Sequence, residues 1–329
     1  MASKRAATKS AKSKHTITTS KGFRVRSYEP PPSGFNPRTA SARLLLRHGF
    51  PSRPDAKAFP ELRALWDKAF ARPRIWIEPE FREVKGKKHG PALKRRDVSR
   101  AKVRAGARIA NATSSNWSGS VATAPRNRTF GWVAGQWTVP NPRTAAFGSY
   151  YASEWVGIDG WGSGDVLQAG TETEVIDLGI FSFAQVYAWW EWFPAGEVAI
   201  TNLSVSAGDT MYCLICVNST TTATVYITNQ SSLVTTSFSI TAPRGTTLVG
   251  NSAEWIVERP TVNGSVASLT DYKVCYFDEG IAGLSGAPFT IIDLGAGTPV
   301  TMTGNNNASL SVPTMETNQL MKMNWLKAN

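Results

Sequence analysis

Two short apolar runs, TMYCLICV at residues 210–217 and ATVYITN at residues 223–229, decide the fold class. Both are rich in β-branched and aromatic side chains, and the Asn, Ser and Thr residues between them favour a turn. Similar runs recur at close intervals: TFGWVAGQWTV at 129–139, VYAWWEWF at 186–193 and AEWIVE at 253–258. Helical periodicity longer than a turn is not found in this region. The pattern predicts an antiparallel all-β domain, a sandwich or a barrel, over residues 113–329.

The chain divides by charge at about residue 112. Residues 1–112 contain 28 Lys and Arg against 8 Asp and Glu, a net charge of +20, whereas residues 113–329 contain 8 against 16, a net charge of −8. Opposite charges on adjacent segments favour docking of one on the other. A basic arm can also bind nucleic acid or an acidic membrane, but few aromatic residues lie among these Lys and Arg residues. We therefore expect docking, and neither a nucleic-acid nor a membrane partner.

The basic segment has three parts with different composition. Residues 1–40 have few large apolar groups and predict a disordered basic tail. Residues 41–83 include PELRALWDKAF, where Leu62, Leu65, Trp66 and Phe70 recur at helical spacing after Pro60, which predicts a small helical unit with one apolar face. Residues 84–112 combine charge with Gly and Pro and predict an exposed basic linker, open to proteolysis.

Histidine and cysteine usage excludes most familiar hydrolase mechanisms. His15, His48 and His89 all lie in the basic segment, so the acidic domain alone cannot build a Ser-His-Asp triad, a Cys-His pair or a histidine zinc site. Cys213, Cys216 and Cys275 are too few for a disulfide framework, although one bridge to Cys275 stays open. No apolar run reaches the roughly 18 residues of a spanning helix, and no signal peptide is recognisable, so we expect a soluble protein.

Without histidine, acid–base chemistry in the acidic domain falls on carboxylates. The pleat of AEWIVE puts Glu254 on one face with Ile256 and Glu258, where desolvation would raise the pKa of the Glu254 carboxyl and suit it to proton transfer. A solvated or salt-bridged strand face explains the same spacing. In DVLQAGTETEV, Gln168 could offer its amide to a developing oxyanion, although a strand glutamine is ordinarily a surface hydrogen-bonding group.

Six motifs resemble those of the glutamic peptidase (eqolisin) family, in the same order. They are SSNWSGSV at 114–121, WTVP at 137–140, EWVGIDG at 154–160, VLQAG at 166–170, WWEWFP at 189–194 and AEWIVE at 253–258. The resemblance covers the whole acidic domain. It implies a bent antiparallel β-sandwich of two seven-stranded sheets, of the concanavalin A-like type, with the active site in a concave groove.

The resemblance also implies the site residues. The family's catalytic glutamate falls on Glu254 and its catalytic glutamine on Gln168, while substrate-binding or supporting positions fall on Trp117, Trp155, Asp159, Glu172, Glu191 and Phe193. Glu254 would take a proton from an attacking water, Gln168 would stabilise the oxyanion, and no metal or organic cofactor would be needed. Glu172 replaces the aspartate of fungal members and Phe193 the usual tyrosine, which bears on substrate fit.

Family members typically have a basic N-terminal prosegment that keeps the enzyme latent, and residues 1–112 resemble one. The expected protein is a monomeric, secreted or extracytoplasmic endopeptidase that acts on polypeptides in acid. We expect acidification to protonate groove carboxylates and to free the groove for cleavage between about Lys85 and Thr113. The competing interpretation is a carbohydrate-binding or glycoside-hydrolysing sandwich, in which Glu191 and Glu254 form the carboxylate pair.

Overall fold

A computed structural model describes residues 16–18, 24–94, 112–143, 147–286 and 288–329. The strands are β1 (Thr16–Thr18), β2 (Arg24–Ser27), β3 (Ile75–Trp76), β4 (Phe81–Glu83), β5 (Lys87–Lys88), β6 (Ala112–Ser114), β7 (Trp117–Thr123), β8 (Phe130–Thr138), β9 (Gly148–Ile158), β10 (Val166–Asp177), β11 (Ser182–Phe193), β12 (Val198–Ile200), β13 (Thr210–Ser219), β14 (Thr222–Asn229), β15 (Val234–Thr241), β16 (Ser252–Glu258), β17 (Thr261–Val262), β18 (Ser265–Val266), β19 (Ser268–Leu269), β20 (Val274–Leu284), β21 (Thr290–Asp293), β22 (Thr298–Thr303), β23 (Ser309–Met315) and β24 (Met321–Trp325). Two helices, α1 (Ala42–Arg47) and α2 (Pro60–Ala69), precede the long strands, and Leu294–Ala296 form one 3₁₀ turn.

The long strands form two antiparallel layers around one core. Hydrogen bonding orders the first layer β7–β16–β9–β10–β11–β12 and the second layer β24–β20–β8–β13–β14–β15. Buried side chains of both layers meet between them, among them Val156, Trp190 and Trp255 from the first and Ile215 and Phe238 from the second. The all-β prediction is confirmed. Strands β22 and β23 join both layers into one network, and the finer division into two seven-stranded sheets stays a prediction.

The helical unit packs its apolar face on the outside of the second layer. Helix α2 begins with Pro60 at its first turn, as predicted, and buries Trp66. Trp66 and Phe70 contact a cluster that includes Leu214 and Tyr226 of the sheet. Because these contacts are apolar, the unit is held by burial of hydrophobic surface as well as by charge.

Two predictions for the basic segment need correction where the structure describes it. Residues 24–27 belong to the predicted disordered tail, yet they form β2, which pairs with β15 and buries Val25. Residues 84–94 belong to the predicted exposed linker, yet Lys87 and His89 are buried. Residues 24–27 are ordered by backbone hydrogen bonds to the distant strand β15. Lys87 and His89 are buried because carboxylates far away in the sequence pair with them. Residues 1–15, 19–23 and 95–111 lie outside the described residues.

Two further findings concern the described residues alone. None of their helices is long and apolar enough to cross a membrane. Cys213, Cys216 and Cys275 are free, so the bridge to Cys275 that the sequence left open is not formed.

Gly170 is required by close packing in the first layer. A Cβ atom at this position would lie 2.1 Å from the carbonyl oxygen of Glu154 and 2.5 Å from the Cβ of Trp155. Both are on the neighbouring strand β9, which cannot move without disturbing its other pairings. We expect Gly170→Ala to lower the free energy of unfolding by about 1–3 kcal/mol, as for other overpacked cores. Urea unfolding measures the change.

The matched control for this prediction is Gly164→Ala. A Cβ atom at Gly164 would have no other atom within 4 Å, so this variant should unfold like the wild type. Equal stability of the two variants would show that the strands relax around residue 170.

Candidate active site

The candidate site is a row of side chains across the first layer. Strand pairing places Gln168 opposite Glu191 on one side and opposite Gly157 on the other. Gly157 in turn lies opposite Glu254. Directly paired residues of antiparallel strands point to the same face, and two strand spacings separate the Cα atoms of Gln168 and Glu254 by about 10 Å. The structure therefore brings the two predicted catalytic residues to one face, on either side of a glycine.

Gly157 leaves room between these side chains. A Cβ atom there would lie 3.2 Å from the Gln168 Cβ and 2.8 Å from the Trp155 ring. Gln168 and Glu254 are fully buried, and neither Glu254 carboxylate oxygen nor the Gln168 Oε1 makes a well-formed hydrogen bond to a described residue. Burial raises the pKa of Glu254 well above its usual value, against a smaller lowering by the nearby Ser252 hydroxyl.

The basic segment crosses this row. The Gln168 Nε2 donates a hydrogen bond of 2.5 Å to the main-chain carbonyl of His89, and the His89 N–H donates to Glu191 Oε2 at 3.0 Å. Trp117 Nε1 donates to the carbonyl of Gly90 at 3.1 Å. The site thus binds a peptide backbone, and the peptide comes from the chain's own basic segment.

Carboxylates surround the two buried cationic side chains of that segment. Lys87 Nζ contacts Glu174 and lies 3.2 Å from Glu172 Oε1. The His89 Nε2 lies 3.1 Å from Glu197 Oε2, and its Nδ1 lies 3.7 Å from Glu258 Oε2. The His89 ring also stacks on Trp189 with a centroid separation of 3.8 Å and an interplanar angle of 13°. The basic segment therefore docks on the acidic domain, as the charge division predicts, and its binding site is this group of carboxylates.

Burial and pairing move the pKa values of these groups in different directions. Burial alone would lower the pKa of His89, but the hydrogen bond to Glu197 and the nearby carboxylate of Glu258 raise it to about 10. Burial raises the pKa of Glu172 to about 7 and that of Glu191 well above the usual range. Burial would also raise the pKa of Glu197, but Lys87 and His89 outweigh it and hold the value below normal.

One group of these residues has the geometry of a metal site. Ligand atoms of His89, Glu172 and Glu197 all lie within 4.8 Å of one another. The Lys87 Nζ lies 3.2 Å from Glu172 and 3.9 Å from Glu197, so the carboxylates already face an ammonium group. A divalent cation would meet that positive charge and the protonated imidazole, which makes an ion a poor fit while the segment is docked.

The other predicted site residues divide into groove lining and support. Trp155 Nε1 donates to Glu258 Oε2 at 3.0 Å, and Phe193 lies beside Gly90, where an added Cβ would come within 3.4 Å of its ring. Asp159 has a positive φ of 73° and accepts hydrogen bonds from the backbone N–H groups of residues 249–251. Asp159 therefore holds a turn next to the groove and supports the site.

Several residues of the site were not singled out from the sequence as site residues: His89, Lys87, Glu174, Glu197 and Asn116. The sequence predicts a linker at Lys87 and His89, and Glu197 follows the WWEWFP motif with no pattern of its own. Glu258 was noted on the face of Glu254 but given no role; here Asn116 Nδ2 and Trp155 Nε1 both donate to its carboxylate. Only the excess of positive over negative charge gave a signal for the segment.

Comparison with known proteins now identifies this arrangement. The profile of the Peptidase A4 family matches residues 115–325. The chain belongs to the Peptidase A4 family. The match covers all of the long strands of the first layer and the whole row from Glu191 to Glu254, so the family predicted from the six motifs is confirmed, together with the class of enzyme to which the domain belongs.

Individual members of the Peptidase A4 family and their structures are similar to this chain. Aspergillopepsin-2 of Aspergillus niger is 27% identical over 201 residues, which are 53% of this chain and 66% of that protein. Two structures of scytalido-glutamic peptidase, one with a transition state analog inhibitor and one with a peptide based analog, have TM-scores of 0.53 and 0.51. Their identities are 20% and 19%, and each match covers 64% of this chain and 98% of the other. The fold is therefore shared.

Glu197 is the group through which acid should weaken the docking of the segment. Its pKa is lowered in the docked chain, so its charge stabilises docking above the usual carboxyl pKa of 4.5, and this contribution is lost as the pH falls through the lowered value. Glu172, Glu191 and Glu258 have raised pKa values and bind protons more readily in the docked chain, which opposes release. His89 contributes fully below about pH 6.5 and loses its contribution toward pH 10.

We therefore expect Glu197→Gln to release residues 81–94 at a higher pH than in the wild type. Removing one partner of a buried ion pair costs up to about 3–5 kcal/mol, and the glutamine keeps a hydrogen bond to His89, so this is an upper value. Hydrogen exchange of residues 81–94, measured across pH on intact chain, reports the release. Glu316→Gln, at an exposed position, is the control. Identical exchange profiles for all three proteins would contradict a role for Glu197.

Proposed function

We propose that this chain is an acid-acting endopeptidase that hydrolyses peptide bonds with Gln168 and Glu254 and is made as a latent proenzyme. The observation that carries the proposal is the hydrogen bond from the Gln168 amide to a peptide carbonyl, in the row that also contains Glu254. A donor held at that position can stabilise the negative charge that develops on the carbonyl oxygen during hydrolysis.

Glu254 is the best candidate for the carboxylate that activates water. Its two oxygens make no well-formed hydrogen bond to a described residue, so they are available to a water molecule and to the leaving nitrogen. Glu258, on the same face, is engaged by Trp155, Asn116 and His89. Glu258 therefore has a positioning role in this proposal, with its carboxylate held against the groove wall.

Latency follows from the position of the docked segment. While the segment is docked, the Gln168 amide and the Trp117 indole donate to carbonyls of the segment itself, so an added polypeptide cannot bind to these two groups. Departure of the segment frees both donors. The protonation of Glu197 in acid starts this sequence, and water enters as the ion pair with His89 is lost.

The contacts of Glu191 favour a peptidase over a glycosidase. In the competing interpretation Glu191 and Glu254 would act as a carboxylate pair on a sugar. Here Glu191 accepts a hydrogen bond from a peptide N–H, and its neighbour Gln168 donates to the carbonyl of the same residue. Glu191 and Gln168 thus bind the N–H and the carbonyl of one residue, which suits a polypeptide substrate. A glycosidase has no evident need for Gln168.

The remaining parts of the proposal concern the whole protein. We infer polypeptide substrates, a monomer, and a secreted or extracytoplasmic site of action, since an enzyme that needs acid cannot work in a neutral cytoplasm. We also infer the two seven-stranded sheets that the family resemblance implies. The lining roles of Trp117, Trp155, Glu172 and Phe193 belong to the same proposal.

The proposed dyad predicts which variants lose peptidase activity. After acid incubation, the wild type should cleave an unfolded protein substrate in acid and not at neutral pH. Gln168→Ala should lower kcat/KM by about 10²–10³-fold because it removes the oxyanion donor, and Glu254→Gln should lower it at least as much. Cleavage is measured from pH 2 to 8 with pepstatin present, which suppresses contaminating aspartic peptidases.

Gln319→Ala and Glu316→Gln are the matched controls, since both side chains are exposed and lie in the turn between β23 and β24, outside the first layer. Glu258→Gln separates the two carboxylates of strand β16. If Glu254→Gln kept full activity while Glu258→Gln lost it, the base would be Glu258. If the wild type cleaved no protein at any pH, the carbohydrate interpretation would gain.

A further inference from the structure

The docked segment is fixed on both sides of the groove. Before the row, β4 pairs with β12, and β5 pairs with β17. After the row, the Ala92 N–H donates to the Gly160 carbonyl at 3.0 Å, and the Leu93 N–H donates to Asn116 Oδ1 at 2.8 Å. Residues 87–93 therefore cross the first layer in one direction, and contacts at both ends fix which residues lie over its centre.

The residues over the centre are His89 and Gly90. Gln168 donates to the carbonyl of His89, and Trp117 donates to the carbonyl of Gly90. Phe193, on β11, lies where a Cβ atom on Gly90 would come within 3.4 Å of its ring. The His89 carbonyl is therefore held at Gln168 on β10, and the Gly90 carbonyl is held by Trp117 on β7, beyond the strands β9 and β16.

The side chains on either side of this bond suit a bound substrate. The His89 ring is stacked on Trp189, and the Lys87 side chain reaches Glu172, Glu174 and the Tyr187 hydroxyl. On the other side, Gly90 has no side chain, and a Cβ atom would come within 3.4 Å of Phe193. The bond therefore follows two residues, Lys87 and His89, whose side chains are bound in the groove, and it precedes Gly90, which has no side chain.

We propose that the His89–Gly90 peptide bond is the bond at which this chain cuts itself when the proenzyme is activated. The proposal rests on the proposed function and names one bond within the stretch from about Lys85 to Thr113. The Gln168 amide already holds the carbonyl that would be attacked, and no other carbonyl of the described segment accepts from it.

The step is an ordinary hydrolysis. One water adds through its oxygen to the carbonyl carbon of His89, the catalytic glutamate of strand β16 accepts a proton from that water, and Gln168 holds the oxyanion. The bond from this carbon to the Gly90 nitrogen then breaks, and the same glutamate returns the proton to that nitrogen. The products are a chain that ends in the His89 carboxyl group and a chain that begins at Gly90.

The cut also weakens the hold on the amino-terminal product. Once the bond is broken, the contacts of Gly90 with Trp117, of Ala92 with Gly160 and of Leu93 with Asn116 no longer hold the amino-terminal product in the groove. Cleavage at this bond therefore opens the groove, whereas cleavage after residue 94 would leave the described contacts in place.

The first test follows the full-length chain during acid incubation by intact mass and amino-terminal sequencing. We expect a product that begins at Gly90 to appear before activity on an added protein substrate rises. Gln168→Ala should slow its appearance by at least about 10²-fold. Appearance only of other new termini, with activity rising normally, would overturn the proposal.

The second test does not depend on folding of a variant. A synthetic peptide with residues 83–94, EVKGKKHGPALK, is given to the acid-activated enzyme. Cleavage between His and Gly supports the proposal; an intact peptide, or cleavage elsewhere, while an unrelated protein is digested, overturns it. If neither the peptide nor the unrelated protein is cleaved, it is the proposed function that fails. A peptide with D-histidine at position 89 is the control and should remain intact.

Discussion

The structure depends on neutralising a set of carboxylates that the fold buries on one face. Glu172, Glu191, Glu197 and Glu258 are almost completely buried on one side of the first layer. An isolated buried carboxylate is costly, so it must be paired, protonated or exposed to water. Lys87 and His89 pair with Glu172 and Glu197, and burial raises the pKa values of Glu172 and Glu191, which favours their protonated forms. The docked state, with residues 87–93 in the groove, therefore depends on the sheet and the basic segment together.

Side chains alternate between the two faces of each strand, and this alternation separates the groove residues from the core residues. In WWEWFP, Trp190 and Trp192 enter the core between the layers, while Trp189 and Glu191 face the groove. In AEWIVE, Trp255 enters the core, while Glu254 and Glu258 face the groove. The same short motifs thus anchor the sandwich with one set of side chains and position the polar groups with the other. Small residues at 157 and 170 keep the groove face open enough for both large rings and carboxylates.

The sequence predicted the all-β domain, the family and the face of each candidate residue, because these follow from local alternation and from motifs in order. It did not predict the path of residues 81–94. The hydrogen bond from Gln168 to His89 joins residues 79 positions apart, and that of Lys87 to Glu174 joins residues 87 apart. Local composition reads such a stretch as a linker, since its partners are elsewhere in the chain. The charge division predicted that docking would occur but could not say which residues would enter the groove.

The amino-terminal segment is attached to the sandwich at two unlike places. In the groove it is held by charges and hydrogen bonds, whereas on the far side of the second layer Trp66 and Phe70 pack on Leu214 and Tyr226, and β2 pairs with β15. The apolar contacts and the strand pairing contain no carboxylate whose protonation would break them. A single cut in the groove would thus yield a two-chain molecule, with the excised piece still covering a hydrophobic surface and a strand edge that would otherwise be open to self-association.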